Sequence, residues 1–129
     1  MKNLSFIGRI LFALPFGIFG LNHFLMKDVF TGMLTSFIPG AGFTVILTGV
    51  ALIAACVSII LKKMIRLSCL LLAFLLLLFI ATIHIPNLIS DNNATFALVN
   101  LLKDTSLMGG AMLIAGAYSD KVKSSSIYE

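Results

Sequence analysis

Four long apolar stretches, separated by short polar breaks, form the main pattern along this chain. They run from about Leu4 to Leu25, Phe43 to Leu61, Leu67 to Ile85 and Phe96 to Tyr118. Each has close to the ~20 residues that a helix needs to cross a ~30 Å hydrocarbon core. The apolar runs are continuous and do not alternate with polar residues, which disfavours membrane-spanning strands. The pattern predicts an all-α fold: an integral membrane four-helix bundle that forms a single transmembrane domain over residues 1–129.

The segment between the first two stretches carries a second, shorter helical pattern. Apolar residues recur there at helical spacing, and the set is Val29, Phe30, Met33, Leu34, Phe37 and Ile38. Pro39 ends the pattern because proline cannot continue a helix. We therefore predict a short interfacial helix between spans 1 and 2, placed over the outer mouth of the bundle as a lid.

Composition strengthens the membrane assignment. Apolar residues make up 60% of the chain and charged residues only 11%, whereas a water-soluble domain encloses its core with a far more charged surface. The first stretch has the length of a signal peptide, but Arg9 and Pro15 interrupt it and no small-residue cleavage site follows. We expect it to be retained as a span.

The basic residues predict the orientation of the spans. Seven of the nine fall on one side if both termini are cytoplasmic: Lys2, Arg9, Lys62, Lys63, Arg66, Lys121 and Lys123. Such a bias places the termini inside, as expected for a multi-pass protein of the cytoplasmic (inner) membrane. The net charge of +4 then reflects topology, and no nucleic-acid partner is expected.

Thiol and metal chemistry have little support in the sequence. Cys56 and Cys69 lie in different spans near the reducing side, so we expect free thiols. No Cys-x-x-Cys pair is present to support disulfide exchange. The two Cys and two His residues also lack metal-ligand spacing, so no metal site is predicted.

Ionisable groups within the spans are the candidate functional residues, because each costs roughly 2.5–3.5 kcal/mol to insert. They are Arg9, His23, His84, Lys103 and Asp104. On the fourth span one helical stripe holds Asn100, Asp104, Leu107, Ala111, Ile114 and Tyr118, with Lys103 on its flank. Lys103 and Asp104 either neutralise each other or pair with groups on neighbouring helices as a purely structural contact, or they bind a ligand inside the bundle.

The first span carries a comparable stripe, formed by Arg9, Ala13, Phe16, Gly20 and His23. Arg9 either extends to the lipid phosphates or pairs inside the bundle with a headgroup or with the carbonyl end of another helix. His23 and His84 fall near the outer ends of their helices, where they are either interfacial residues or the walls of an outward-facing pocket that carries protons. Ligation of a haem by both histidines is a weaker alternative.

Small residues predict the faces where helices pack closely. On the second span they form the stripe Thr44, Thr48, Ala51, Ala55 and Ser58. The other candidates are the glycines Gly17, Gly20, Gly109, Gly110 and Gly116.

Short motifs along nearly the whole chain resemble the DoxX and DoxX-like family of small membrane proteins. They are Gly-Arg-Ile-Leu-Phe at 8–12, Phe19-Gly20-Leu21-Asn22-His23-Phe24, Ile38-Pro39-Gly40, and Lys103-Asp104 leading to Leu107-Met108-Gly109-Gly110-Ala111. The resemblance implies a four-span bundle and, for some members, a link to respiratory or sulfur oxidation or to oxidative-stress complexes. Other members look like assembly chaperones for membrane proteins. Arg9, His23, Lys103 and Asp104 lie in the motifs that match the family. His84 lies outside them and is a candidate because of its position in the third span.

Two functions from different classes follow from these observations. In the first, the chain is a membrane subunit of a quinone-linked or redox-associated complex, with no intrinsic cofactor but with a bound quinone in an outward-facing polar pocket. The candidate ligand-binding residues are His23, His84, Asn100, Lys103, Asp104 and Arg9. In the second, it is a non-enzymatic assembly, chaperone or scaffold module. Both imply contact with membrane lipid and a membrane-protein partner or a homo-oligomer, and neither establishes that the chain is an enzyme.

Overall fold

The computed structural model describes residues 1–34, 38–90 and 93–126, with side chains up to residue 118. Every regular element in this part of the chain is helical. The elements are α1 (Lys2–Leu25), α2 (Lys27–Met33), α3 (Ala41–Leu61), α4 (Ile65–Phe79), a π-helical turn (Ile80–His84), α5 (Ile85–Ile89) and α6 (Ala94–Ser126).

Four helical segments among the described residues are long and apolar enough to cross a membrane, which confirms the all-α bundle. They are Lys2–Leu25, Ala41–Leu61, Ile65–Ile89 and Ala94–Tyr118. Each begins two residues before its predicted start. The third continues four residues beyond its predicted end at Ile85, because Pro86 does not stop it. The chain is a multi-pass helical membrane protein.

The helix continues past Pro86 because the π-helical turn precedes it. The Ile85 N–H bonds to the Ile80 carbonyl, five residues back. The wider turn brings Pro86 into the first turn of α5, where the missing N–H of a proline is tolerated. The span therefore continues as a helix from Ile65 to Ile89.

The bundle is built from two tightly packed pairs. α1 packs chiefly on α3, and α4 packs chiefly on α6, while α3 and α4 are joined by the short turn at Lys62–Met64. The core between them is narrow and rich in small side chains, among them Ala13, Ala55, Ala73, Ala111 and Ala115. Cys56 and Cys69 are free and buried in this same core.

The closest approach in the bundle lies between α1 and α3. A Cβ placed on Gly20 would lie 2.8 Å from the Gly49 carbonyl oxygen, and one on Gly49 would lie 2.9 Å from the Gly20 carbonyl oxygen. The two backbones therefore meet directly. The buried face of α1 consists of Arg9, Ala13, Phe16, Gly20 and His23, which confirms the predicted stripe.

Two packing predictions are confirmed only in part: Ala55 is buried on α3, and a Cβ on Gly17 or Gly20 would meet a neighbouring helix. The buried face of α3 consists of Val45, Gly49, Leu52, Ala55, Cys56 and Ile59, whereas Ala51 of the predicted stripe is exposed. Gly109 and Gly116 have open space where a Cβ would stand, whereas a Cβ on Gly110 would lie 3.1 Å from the Phe12 ring. Ala51, Gly109 and Gly116 therefore do not mark faces where helices pack closely.

The predicted helix between spans 1 and 2 exists as α2 but is shorter than expected. It ends at Met33, and Leu34 is already extended, with φ −71° and ψ 141°. The continuation of the pattern through Phe37 lies partly outside the described residues. α2 packs against α3 and α1, at the end of the bundle that the charge pattern predicts to face outward. We refer to this as the α2 end.

Candidate functional site

A cavity of ≈ 620 Å³ opens between the two helix pairs at the α2 end. α1, α3, α4 with its π-helical turn, and α6 form its sides, and α2 with Ile38 and Pro39 forms its outer wall. Apolar side chains dominate the lining, including Phe16, Leu52 and Leu107. The volume falls within the range of small-molecule sites in proteins.

Polar groups in the cavity are concentrated around Asp104. This aspartate is 5% exposed, although it lies within a membrane-spanning segment. Its Oδ2 accepts a hydrogen bond from His84 Nε2 over 2.9 Å, and its Oδ1 lies 3.6 Å from Lys103 Nζ. A carboxylate oxygen can only accept, so the bond also places a proton on Nε2 of His84.

The Lys103 ammonium has three neighbours besides solvent. Nζ donates to Asn100 Oδ1 over 3.1 Å, it faces Asp104, and it lies 5.2 Å from the centroid of the Phe19 ring. Asn100 is held in turn by a bond from its Nδ2 to the Phe96 carbonyl, 3.0 Å. With 43% of its side chain exposed, Lys103 keeps an N–H free to donate to a ligand.

His23 forms the α1 side of the cavity. Its Nδ1 donates to the Phe19 carbonyl one turn earlier, 2.7 Å away. Its ring stacks on Phe30 of α2, with centroids 4.2 Å apart and planes 15° apart. The wall formed by α2 is therefore packed directly on an imidazole that lines the cavity.

The π-helical turn places His84 opposite α6. A π-helical turn holds one more residue than the α-helical turn it replaces, so it rotates the side chains on either side of it relative to an unbroken helix. His84 is the last residue of that turn and reaches Asp104 at the third turn of α6. Helical turns of this kind recur at functional sites.

Arg9 lies at the other end of the bundle and does not line the cavity. Its NH1 donates to the carbonyls of Ile59 and Ile60, at 3.0 and 3.1 Å. These are among the last carbonyls of α3, which have no partner within their own helix. Of the interpretations weighed for Arg9, the structure agrees with pairing to the carbonyl end of another helix, and it separates Arg9 from the other five candidates.

Removing the Arg9 guanidinium should therefore affect stability. We expect Arg9→Met to lower the free energy of unfolding in detergent by about 1.5–3 kcal/mol, because two carbonyls in an apolar environment lose a charged donor. Arg9→Lys should lose less than half of this, since an ammonium can still donate. Thermal unfolding of the purified variants measures both. Equal stability of Arg9→Met and the wild type would contradict this role.

Five of the six predicted site residues are brought together around the cavity: His23, His84, Asn100, Lys103 and Asp104. The sequence analysis allows Asp104 a partner on a neighbouring helix, but it does not identify His84 as that partner or include the rings of Phe19 and Phe30 in the site. Phe19 could have been found, because it lies four residues before His23 on the same helical face. No group of three metal-ligating side chains occurs among the residues described.

The fold and the cavity define a multi-pass helical membrane protein with an internal apolar cavity and one polar cluster. A scan against protein-family models, a search of curated proteins and a search of solved structures each returned no match to this chain. The resemblance to the DoxX family therefore stays a prediction from the sequence motifs.

Proposed function

We propose that this protein is a DoxX-like subunit of the cytoplasmic (inner) membrane that binds a quinone-type ligand in the cavity and works within a quinone-linked or redox-associated complex. The observation that carries the proposal is the composition of the cavity. It is ≈ 620 Å³ in volume, apolar over most of its lining, and its charged groups, Lys103 and Asp104, lie together with His84 in one cluster. A quinone has the matching composition, with a polar ring and an apolar substituent.

The polar cluster provides a hydrogen-bond donor that would orient the ring of a bound quinone. A quinone carbonyl oxygen is a hydrogen-bond acceptor, and Lys103 Nζ is the charged donor of the cluster. The Phe19 ring beneath Lys103 and the Phe30 ring against His23 provide aromatic faces for a flat headgroup. The apolar tail would follow the lining formed by residues such as Leu52, Leu75 and Leu107.

A role as one subunit fits the sequence better than a role as a complete enzyme. The chain carries no Cys-x-x-Cys pair and no recognisable cofactor motif. A ligand that exchanges electrons would need a redox partner to complete a reaction. We therefore assign ligand binding to this chain and electron exchange to a partner in the same membrane.

The test is purification of the full chain in mild detergent, with mass spectrometry of co-purifying quinones and proteins. Thr48 lines the cavity, so the larger side chain of Thr48→Phe should project into it and reduce the bound quinone by about tenfold or more. Val50 is on the same helix and 51% exposed, which makes Val50→Phe the matched control that should retain the quinone.

Two results would count against the proposal. One is the absence of quinone from the wild-type protein, together with no binding of added quinone. The other is equal retention by Thr48→Phe and Val50→Phe. A stoichiometric membrane protein that co-purifies without quinone, and equally with Thr48→Phe, would instead indicate the assembly or scaffold function.

A further inference from the structure

The hydrogen-bond partners of the two cavity histidines assign them opposite tautomers. The Nδ1 of His23 lies 2.7 Å from the Phe19 carbonyl, and a carbonyl only accepts, so the proton is on Nδ1. The Nε2 of His84 lies 2.9 Å from Asp104 Oδ2, and a carboxylate only accepts, so the proton is on Nε2. In the neutral rings, Nε2 of His23 and Nδ1 of His84 are therefore lone-pair acceptors.

Both acceptor nitrogens are left for a ligand. No hydrogen bond joins either of them to another group among the described residues. Neither nitrogen is fully buried. Among the described residues, the fully buried side-chain polar atom without a hydrogen-bond partner is Thr31 Oγ1. Both rings line the same cavity. The cavity thus offers two imidazole acceptors and one ammonium donor, while the Asp104 oxygens already face His84 and Lys103.

We infer that the cavity binds the reduced, dihydroxy form of the ligand in preference to the quinone. This inference rests on the proposed function and adds the redox state of the ligand. The hydroxyls of a quinol donate hydrogen bonds, which the imidazole nitrogens accept, and its oxygens can still accept from Lys103. A quinone has oxygens that only accept. It can use Lys103, but an oxygen placed against either imidazole would set two lone pairs facing each other.

The expected difference in affinity between quinol and quinone follows from how polar sites select ligands. A site built to bond a hydroxyl rejects the analogue that lacks it, because the partner group is left unpaired. We expect the quinol to bind at least about tenfold more tightly than the quinone, by analogy with such sites.

The experiment is isothermal titration of the full chain in detergent under argon, in a mildly alkaline buffer. The probes are a decyl-substituted benzoquinone and its quinol. His23→Phe keeps a ring to stack on Phe30 but removes the acceptor. It should weaken quinol binding more than quinone binding, so that the preference for the quinol falls several-fold. Gly109→Ala, where an added methyl group meets open space, should bind both probes like the wild type.

The outcomes separate the two proposals. Equal binding of quinol and quinone by the wild type, or tighter binding of the quinone, overturns the inference and leaves the proposed function standing. Binding of neither probe overturns the proposed function itself. If His23→Phe does not fold, His23→Gln takes its place. Its amide supplies a donor as well as an acceptor, so it should narrow the preference for the quinol, and an unchanged preference would contradict the role of His23.

Discussion

Replacing Asp104 by Asn is expected to lower the free energy of unfolding by about 2–4 kcal/mol, because it weakens a buried charged hydrogen bond and leaves Lys103 without a counter-charge. Lys103→Gln should cost less than about 1 kcal/mol. The difference arises from position: the Asp104 side chain is 7% exposed, whereas that of Lys103 is 43% exposed and retains Asn100 and the Phe19 ring as neighbours.

A double-mutant cycle identifies which partner of Asp104 matters more. The shorter contact is to His84, at 2.9 Å against 3.6 Å for Lys103. We therefore expect the coupling between His84→Gln and Asp104→Asn to reach about 1–3 kcal/mol, and the coupling between Lys103→Gln and Asp104→Asn to stay below about 1 kcal/mol. Chemical unfolding of the purified variants in detergent measures both.

Stability and ligand binding are then separated with Lys103→Gln, which is expected to keep the fold. If Lys103 and Asp104 form only a structural contact, Lys103→Gln should retain quinone binding. If the pair binds the ligand, Lys103→Gln should fold like the wild type and lose quinone binding. If Lys103→Gln lowered the free energy of unfolding as much as Asp104→Asn, the difference in burial between the two side chains would not explain their contributions to stability.

The spans and two of their buried faces were predictable from local information. Length and hydropathy define the four helices, because a membrane-spanning helix must be apolar over its whole length. On α1 and α6 the few polar residues mark the interior. Arg9 and His23 lie on the buried face of α1, and Asp104 is buried on α6 while Lys103 lies exposed on its flank. An ionisable group avoids lipid, so its position on the helix indicates which side faces inward.

The face of α3 was not predictable in the same way. This helix has no Asp, Glu, Lys, Arg or His between its ends, and its lipid-facing and protein-facing sides are both apolar. Its hydroxyl-bearing residues could face either side, because each can bond within its own helix. Gly49 is the contact residue of α3 only because α1 packs there. Which helices pack on each other is not encoded in the local spacing of residues along α3.

The partners within the site were unpredictable for a related reason. Arg9 meets carbonyls some fifty residues away in the chain, and His84 meets Asp104 after a π-helical turn whose extra residue changes the register. Pro86 suggested the end of a helix, and the structure uses it as the start of the next helical segment. A fixed helical period cannot describe the span on both sides of that turn.

Adding a single methyl group at Gly49 is expected to separate α1 from α3. The Cβ of Gly49→Ala would lie 2.8 Å from the Cβ of His23 and 2.9 Å from the Gly20 carbonyl oxygen. Neither atom is the end of a flexible chain, so the helices must move apart. We expect the free energy of unfolding to fall by about 2–3 kcal/mol, as for other overpacked interiors. Thermal unfolding in detergent measures this loss.

The same substitution should also weaken ligand binding, because His23 belongs to the cavity as well as to the contact. Moving His23 away from Gly49 alters its stacking on Phe30 and the place of its free nitrogen. Gly109→Ala is the matched control: its methyl group meets nothing within 4 Å, and alanine favours a helix over glycine by up to about 1 kcal/mol. It should be as stable as the wild type or more so. If Gly49→Ala matched Gly109→Ala in both stability and quinone binding, α1 and α3 would not meet at these glycines, and the α1 wall of the cavity would have to be placed elsewhere.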